Sequence, residues 1–287
     1  MIKIENDFLV VKAKSEGAEL TSIFNKKTNL EYLWQAGKEW PKHAPVLFPT
    51  VGQLIENKYL YNDQSFSLDR HGFARSQKFE VRKRESNLME FFLKSSDETL
   101  KVFPFHFELK IIYSIDKKKL SVKYEVKNSG IEKMLFSIGG HPAFKVPLKE
   151  DETYEDYFLE FNQNEFVERW KLQNGLIAGE KEIVLINTNK LPLKKSLFYS
   201  DALVFKHLKS GIISIKSKKS NEGLHFHFKG FPYFGIWSAK DADFVCLEPW
   251  HGIADSIKHN QQLKKKEGII NLKLQKTFSC EYSIETF

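Results

Sequence analysis

The stretch Phe105-His-Phe-Glu-Leu-Lys-Ile-Ile-Tyr-Ser-Ile115 has the clearest pattern in the chain, since every odd-numbered residue is apolar and most residues between them are polar. Residues 120–126 repeat this alternation after the turn-forming run Asp116-Lys-Lys-Lys119. Alternate side chains of a β-strand point to opposite faces, so each run predicts a strand with one buried face and one wet face. The two runs and the turn between them predict adjacent antiparallel strands.

Shorter runs of the same kind occur on both sides of this hairpin. Residues 8–13 and 17–24 predict two strands near the N-terminus, with a turn at residues 25–29. Residues 278–284 alternate in the same way near the C-terminus. Residues 149–200 are acidic and then polar, which predicts short strands joined by long loops.

The composition also favours strands over helices. The chain has 25 Phe among 287 residues, and aromatic residues are enriched in β-strands. No segment shows a long amphipathic or heptad pattern, an internal repeat or a low-complexity linker. We therefore expect an all-β protein in which residues 1–287 form a single domain.

The net charge of +7 raises the question of an anionic macromolecular partner. Most lysines are spread singly along the predicted strands, and only residues 216–219 and 264–266 form short clusters. Nucleic-acid binding needs a concentrated basic face, so these lysines are expected on solvated faces and turns. The charge pattern predicts no nucleic-acid partner.

Cysteine usage and the start of the chain indicate the cellular compartment. Cys246 and Cys280 lie in apolar, strand-like contexts without CxxC spacing, so we expect buried free thiols. The start Met1-Ile-Lys-Ile-Glu-Asn-Asp7 has two acids before any apolar stretch, unlike a secretory signal peptide. No run approaches the roughly 18 apolar residues of a membrane span. These features predict a soluble, cytoplasmic protein that does not enter a membrane.

One acidic residue, Glu248, lies at the end of an apolar run in Phe244-Val-Cys-Leu-Glu-Pro-Trp250. The run predicts a buried strand, which we expect to end at Glu248 because Pro249 cannot donate a hydrogen bond to a sheet. The carboxylate would then face a cleft beside Trp250. Partial burial can move the pKa of such a carboxyl group toward the range of a general base.

Two loops place a histidine next to glycine. In Asp69-Arg-His-Gly-Phe-Ala-Arg75, His71 is flanked by two arginines, so this loop either faces water or meets an oxygen-rich ligand. In Ser137-Ile-Gly-Gly-His-Pro-Ala-Phe144, the glycines permit a close backbone approach, which projects His141 from a constrained corner. The proline-rich loop at residues 40–52 either packs at the mouth of the fold or lines a ligand.

These corners together suit a neutral polyol ligand. Sugar rings have C–H faces that stack on aromatic side chains, and their hydroxyls need directional partners. Glu248 with a histidine also provides an acid and a base near neutral pH. The alternative is a cupin-like metal enzyme that uses His225 and His227 on one strand face. No third ligand is evident near them, so we expect no metal.

Five short segments also carry a family resemblance. They are Gly17-Ala-Glu-Leu20, Ala44-Pro-Val-Leu-Phe-Pro-Thr-Val-Gly52, His71-Gly-Phe-Ala-Arg75, Gly140-His-Pro-Ala-Phe144 and Cys246-Leu-Glu-Pro-Trp250. In this order, over essentially the whole chain, they resemble the aldose 1-epimerase (galactose mutarotase-like) family, and within it the LacX-like branch of bacterial sugar operons. The resemblance implies a large antiparallel β-sandwich with a sugar lying in a broad cleft.

The resemblance also implies catalytic roles. By position, Glu248 matches the general base, His141 the general acid, and His71 the second histidine that binds near the ring oxygen. The implied reaction opens the sugar ring to the free aldehyde and recloses it as the other anomer. It requires a small-molecule sugar and no cofactor. The expected substrate-binding residues are Arg70, Arg75, Asp201 and Trp250.

The sequence departs from one subgroup of the family in a way that bears on the substrate. Relatives that take hexose 6-phosphates often carry Arg-Gly-Gly before the Pro-Val-Leu-Phe-Pro-like motif, whereas this chain reads Pro41-Lys-His-Ala44. Lys42 could meet a phosphate, but the bidentate fork of an arginine is missing. The sequence therefore favours an unphosphorylated aldose or leaves the aldose undetermined. A hexose-6-phosphate mutarotase and a non-catalytic carbohydrate-binding or regulatory protein on the same fold are the alternatives.

Overall fold

The computed structural model describes the whole chain, Met1–Phe287, and consists mainly of β-strands. The first strands are β1 (Ile2–Glu5), β2 (Leu9–Ala13), β3 (Leu20–Asn25), β4 (Leu30–Glu31), β5 (Val46–Leu47), β6 (Lys58–Tyr61), β7 (Gln64–Ser67), β8 (Glu80–Arg84), β9 (Leu88–Lys94), β10 (Phe107–Asp116), β11 (Lys119–Asn128) and β12 (Met134–Phe136). The others are β13 (Ile138–Gly140), β14 (Ala143–Lys145), β15 (Tyr157–Gln173), β16 (Leu176–Pro192), β17 (Leu203–Lys206), β18 (Ile212–Ser217), β19 (Leu224–His227), β20 (Tyr233–Trp237), β21 (Phe244–His251), β22 (Ile270–Leu272) and β23 (Thr277–Thr286).

Helices are few and short. The one α-helix, α1 (Asp97–Val102), has six residues, and its first turn is closed by a capping box between Ser96 and Thr99. No helix has the length and apolar character that a membrane crossing would require. The 3₁₀-helices are Ile55–Asn57, Ala74–Ser76, Tyr154–Asp156, Lys195–Phe198 and Leu263–Lys265.

One antiparallel sheet of 15 strands forms most of the molecule. Its strands lie in the order β5-β13-β21-β20-β17-β15-β18-β19-β23-β11-β10-β9-β8, with β14 paired to β21 and β16 paired to β15. A second sheet contains β1 to β4, and β6-β7 and β12-β22 form two-stranded sheets. This architecture is the predicted large antiparallel β-sandwich.

A hydrophobic core of 63 buried residues lies between the sheets. Val11 and Ile23 enter it from the N-terminal sheet, whereas Phe107, Val122 and Ile213 enter it from the large sheet. All of these side chains are fully buried. The N-terminal sheet therefore packs on one face of the large sheet and shares its core.

The hairpin predicted by the alternating stretch is confirmed. β10 and β11 pair residue by residue from Phe107 opposite Asn128 to Asp116 opposite Lys119. Buried and partly exposed residues alternate along both strands, as the sequence pattern requires. Lys117 adopts a positive φ of 50° in the turn between them.

The prediction of short strands and long loops at residues 149–200 is wrong. Two strands of 17 residues each, β15 and β16, form one long hairpin there. Four register shifts interrupt its pairing and hide the alternation that would have revealed the strands. Part of the hairpin is exposed on both faces, where opposite charges pair across the strands, as Arg169 does with Glu182 at 2.6 Å.

The core makes a direct prediction about stability. Phe107 is fully buried and its ring packs on Phe48, with ring centroids 5.0 Å apart, whereas Phe166 on β15 is 59% exposed. We expect Phe107→Ala to lower the free energy of unfolding by about 3 to 5 kcal/mol through lost burial and a cavity. The matched change Phe166→Ala should cost less than about 0.5 kcal/mol. Urea unfolding of both variants measures this, and equal losses would contradict the assigned core.

Candidate active site

All the predicted site residues lie around one cleft of about 230 Å³. The cleft forms where β5, β13, β21, β20 and β17 lie side by side, so loops distant in sequence meet there. The structure thus brings together the corners that the sequence singled out. The predicted residues that line it are Arg70, His71, Arg75, His141, Asp201, Glu248 and Trp250.

Glu248 lies within a strand, and the prediction that the strand ends there is wrong. β21 continues through Glu248 and Pro249 to His251. Leu247 donates its N–H to the Pro142 carbonyl, so Pro249, two residues on, directs its nitrogen to the same side. On that side the chain changes from β14, which pairs up to Cys246, to β13, which pairs from Trp250. The missing proline N–H therefore falls where the ladder is already interrupted.

His141 lies directly against Glu248. Its Nε2 atom is 3.3 Å from Glu248 Oε2, and both side chains are almost completely buried. Trp40 stacks on the imidazole with ring centroids 5.0 Å apart, and Trp237 meets it edge-on at 5.6 Å. His141 follows the glycines of β13 and is thereby held in the wall of the cleft.

Burial shifts both pKa values of this pair toward the neutral forms. Loss of hydration raises the pKa of Glu248 well above its usual 4.5. Loss of hydration, together with charge repulsion from Arg70, lowers the pKa of His141 from 6.5 to about 3. Burial therefore favours the neutral forms of both groups, the protonated carboxyl group and the uncharged imidazole.

His71 has its ring nitrogens constrained by two donors. The Gly52 backbone N–H donates to Nδ1 at 3.1 Å, and Arg70 Nε lies 3.2 Å from Nε2. Burial lowers the pKa of His71 well below its usual value, so the ring is neutral and has only one acceptor nitrogen. The Gly52 amide at Nδ1 and the Arg70 guanidinium at Nε2 therefore compete for that one acceptor. Whichever donor is left without it can donate to a ligand oxygen in the cleft.

Trp250 forms an aromatic surface of the cleft. Its indole lies over two glycines of neighbouring strands, since a Cβ added at Gly139 or Gly235 would come within 2.6 Å of it. The indole Nε1 is buried, and its N–H acts on the Glu248 carboxyl group, whose pKa it lowers. Trp250 thus offers the cleft a flat apolar face, which suits the C–H face of a sugar.

Asp201 lies where the chain enters β17. Its backbone φ is 93°, and its Oδ1 accepts the N–H of Ala202 at 2.7 Å. Its side chain lines the cleft, and its charge raises the pKa of Glu248. The residue is in position to accept hydrogen bonds from a ligand with its other carboxylate oxygen.

The sequence did not identify the part of the cleft formed by the tip of the β15–β16 hairpin. Leu172, Gly175 and Ile177 line the cleft from that tip. Ile177 accepts a backbone hydrogen bond from Ile257, and its own N–H donates to the Asp255 carbonyl. The dipeptide Asn174-Gly175, with both φ angles positive, was the available signal, since Asn-Gly is a strong hairpin-turn signal. Trp40 and Lys42 of the proline-rich loop also line the cleft.

His225 and His227 lie elsewhere, on β19, with ring centroids 6.4 Å apart. His225 Nδ1 is 2.7 Å from Ser214 Oγ, and His227 Nε2 is 3.7 Å from Glu285 Oε2. The two histidines share a strand face as predicted. Neither is a lining residue of the cleft, so they take no part in the site described above.

The chain is similar to known proteins along its whole length. A model of the family described as aldose 1-epimerase matches residues 1–269. The chain is 36% identical over 294 residues to the chromosomal protein LacX of Lactococcus lactis subsp. lactis, covering 99% of this chain and 98% of that protein. The chain belongs to the aldose 1-epimerase family.

Solved structures have the same fold. A galactose mutarotase related enzyme from Lactobacillus acidophilus matches with a TM-score of 0.95 and 33% identity, covering 99% of this chain and 96% of that chain. A galactose mutarotase-like protein from Lactobacillus casei matches with a TM-score of 0.94 and 30% identity over the full length of both chains. The predicted family and fold class are confirmed.

In this aldose 1-epimerase family member, the Gly17-Ala-Glu-Leu20 motif contacts two of the loops that line the cleft. Gly17 packs on the Arg75 backbone, where a Cβ would come within 2.6 Å of the Arg75 carbonyl oxygen. Glu19 Oε1 accepts the backbone N–H groups of His43 and Ala44, at 2.8 and 3.1 Å. The motif thus fixes the two loops that carry Arg75 and Lys42.

The neutral state of His141 predicts a pH dependence of stability. The unfolded chain protonates this histidine near pH 6.5, whereas the folded chain does so near 3, so its contribution is present above pH 6.5 and is lost as pH falls toward 3. Between pH 7 and pH 5 we expect the free energy of unfolding of the wild type to fall by about 2 kcal/mol more than that of His141→Gln. Urea unfolding at both pH values measures it. The exposed control, His106→Gln, should keep the wild-type pH dependence.

The support of Trp250 by glycine predicts a packing defect. In Gly235→Ala the new methyl group would lie 2.5 Å from Trp250 Cζ2 and Cη2, so the indole must move. We expect a loss of about 1 to 3 kcal/mol in unfolding free energy and an altered tryptophan fluorescence spectrum. Gly130→Ala is the control, because the nearest atom to its Cβ is 3.4 Å away. An unchanged spectrum in Gly235→Ala would contradict the described position of the indole.

Proposed function

We propose that this protein is an aldose 1-epimerase that interconverts the α and β anomers of an aldose by acid–base ring opening. The observation that supports this most directly is the contact between His141 Nε2 and Glu248 Oε2, 3.3 Å apart in the buried wall of the cleft. An acid and a base within hydrogen-bond reach of one small ligand are what the reaction requires. The chemistry moves protons only, so it needs no metal or organic cofactor.

The proton count of the pair supports the same proposal. When Glu248 and His141 share one proton, burial favours its position on the carboxyl group, because it raises the pKa of Glu248 and lowers that of His141. Transfer of this proton to His141 creates a carboxylate base and an imidazolium acid in one step. Glu248 then takes the proton of the anomeric hydroxyl while His141 protonates the ring oxygen, which opens the ring. The pair returns to its starting state, and reclosure after rotation about C1–C2 reverses the steps.

The other residues of the cleft hold the sugar in this proposal. Arg70, which donates from Nε to His71 Nε2, has further guanidinium N–H groups that can donate to ligand hydroxyls. Asp201 accepts from hydroxyl groups of the sugar, and the Trp250 indole stacks on the C–H face of the ring. Orientation of this kind keeps the reacting oxygens beside Glu248 and His141.

The test is the rate of anomer exchange with Glu248→Gln. The amide has nearly the same shape but cannot accept the hydroxyl proton, so we expect kcat to fall by about 10² to 10⁴-fold. The decay of optical rotation of freshly dissolved α-glucose and α-galactose, and a coupled anomer-specific assay of glucose 6-phosphate, measure it. The control is Glu180→Gln, whose side chain is 75% exposed on the hairpin.

Two results would contradict parts of this proposal. Full activity of Glu248→Gln would show that the base lies elsewhere. Absence of acceleration by the wild type with every sugar, together with sugar-induced thermal stabilisation, would instead select a carbohydrate-binding protein that uses the cleft without turnover.

A further inference from the structure

Trp40, the first residue of the proline-rich loop at residues 40–52, stacks on the imidazole of His141. The ring centroids are 5.0 Å apart, with an angle of 27° between the ring planes. We infer that the π face of Trp40 stabilises the imidazolium form of His141 and thereby favours the transfer of a proton from Glu248. Trp40 is then a positioning residue, because it acts through His141. The inference rests on the proposed function and deepens it.

The indole of Trp40 is held in place by its own segment and by the sheet. The backbone N–H of Trp40 donates to the Gly37 carbonyl at 3.2 Å, and its carbonyl accepts the indole N–H of Trp34 at 2.9 Å. Its ring also stacks on Phe244, with centroids 5.5 Å apart. These contacts hold the indole in the orientation that places its face against His141.

An aromatic face attracts a cation more strongly than it attracts a neutral ring. The π system concentrates negative charge on its faces, so a cation within about 6 Å of the ring centroid is stabilised, and tryptophan is the most effective residue. The distance between Trp40 and His141 lies within that range. When the proton moves, the O–H bond of Glu248 breaks and an N–H bond forms at His141 Nε2. Trp40 therefore gains attraction to His141 only after this transfer.

Few other groups favour the charged form of His141. Glu248 is the only acidic residue with a carboxyl oxygen within 4.0 Å of the ring nitrogens, at 3.3 Å. Burial lowers the pKa of this histidine most, and charge repulsion from Arg70, Arg75 and Lys42 lowers it as well, whereas the backbone at this residue raises it. An aromatic face opposes these effects without adding a second buried carboxylate, which would itself be costly.

Two other rings contact His141, and neither is stacked on it. Trp237 and His71 lie nearly perpendicular to the imidazole, at 88° and 78°, with centroids 5.6 and 5.7 Å away. Burial holds the pKa of His71 well below its usual value, so this ring adds no charge. Trp40 is therefore the ring to which we assign the effect on the imidazolium.

This assignment also gives a role to the beginning of the proline-rich loop. From the sequence, the loop either packs at the mouth of the fold or lines a ligand. Trp40 does both, since it lines the cleft and packs on the proposed acid. The loop thus contributes to the reaction through a side chain that exchanges no proton.

Fluorinated tryptophan at position 40 tests the inference with little change in the shape of the ring. Each added fluorine withdraws negative charge from the ring face, so mono-, di- and trifluorotryptophan weaken the attraction to a cation stepwise. Anomer exchange is measured by exchange NMR, with whichever of glucose, galactose and glucose 6-phosphate the wild type converts fastest. We expect kcat to fall stepwise by about tenfold across the series while KM changes by less than about twofold.

The same analogues at Trp34 are the matched control. Trp34 lies near Trp40 in sequence and packs on Phe244 with centroids 5.1 Å apart, but it neither lines the cleft nor contacts the His141 ring. Fluorination at this position should leave kcat unchanged. A general effect of fluorinated tryptophan on the fold would lower kcat at both positions.

Ordinary substitutions at Trp40 provide a second arm. Phenylalanine keeps a weaker π face, whereas methionine has a similar size and flexibility but no π face. We expect Trp40→Met to lower kcat about tenfold and Trp40→Phe about threefold. Both variants are assayed below the temperature at which either begins to unfold, so that lost packing does not enter the comparison.

The outcomes separate this inference from the proposed function. An unchanged kcat across the fluorinated series, with an active wild type, would overturn the role of Trp40 and leave the epimerase proposal standing. Equal kcat values for Trp40→Phe and Trp40→Met would also overturn that role. Absence of catalysis by the wild type with all three sugars would overturn the proposed function, and the inference with it.

Discussion

The burial of the Glu248 carboxyl group in the middle of a strand is the constraint on which the cleft depends. A carboxylate without water is costly, so the surroundings must either neutralise it or hold a proton on it. His141 is the neighbour of this carboxyl group, with its Nε2 atom 3.3 Å from Glu248 Oε2. Burial shifts the pKa of each group toward its neutral form. The same burial that makes the pair unfavourable as ions favours a proton on Glu248 over one on His141.

The sheet makes this burial possible through its local irregularities. β21 is paired with β20 along one side, whereas its other side is covered in turn by β14 and β13. The change from one strand to the other creates the gap in which Pro249 needs no partner and from which His141 projects. Gly139 and Gly235 then leave room for Trp250 to lie flat over the sheet. The cleft therefore results from interruptions of a regular ladder.

Local sequence patterns predicted the strands in which apolar residues recur at every second position. The Phe107–Asp116 strand and its partner could be predicted because every second side chain enters one core. The β15–β16 hairpin could not, because four register shifts remove the period and its exposed part leaves no apolar face. The strand through Glu248 was predicted to end early because Pro249 has no N–H to donate to a neighbouring strand. The sequence does not show that the neighbouring strand is itself interrupted beside Pro249, so that no N–H is needed there.

The site shows the same division between local and distant effects. Unusual residue combinations in single loops identified His71, His141 and Glu248, and the structure brings them into one cleft. The meeting of Lys42 and Arg75 in one cleft was not predictable from local patterns, because the two residues come from different loops.

The cationic side chains of the cleft also act on the acid–base pair. Arg70, Arg75 and Lys42 all lower the pKa of His141, which disfavours the imidazolium that the proposed mechanism requires. The proposed transfer of a proton from Glu248 to His141 therefore works against the positive potential of the same side chains that are proposed to hold the sugar.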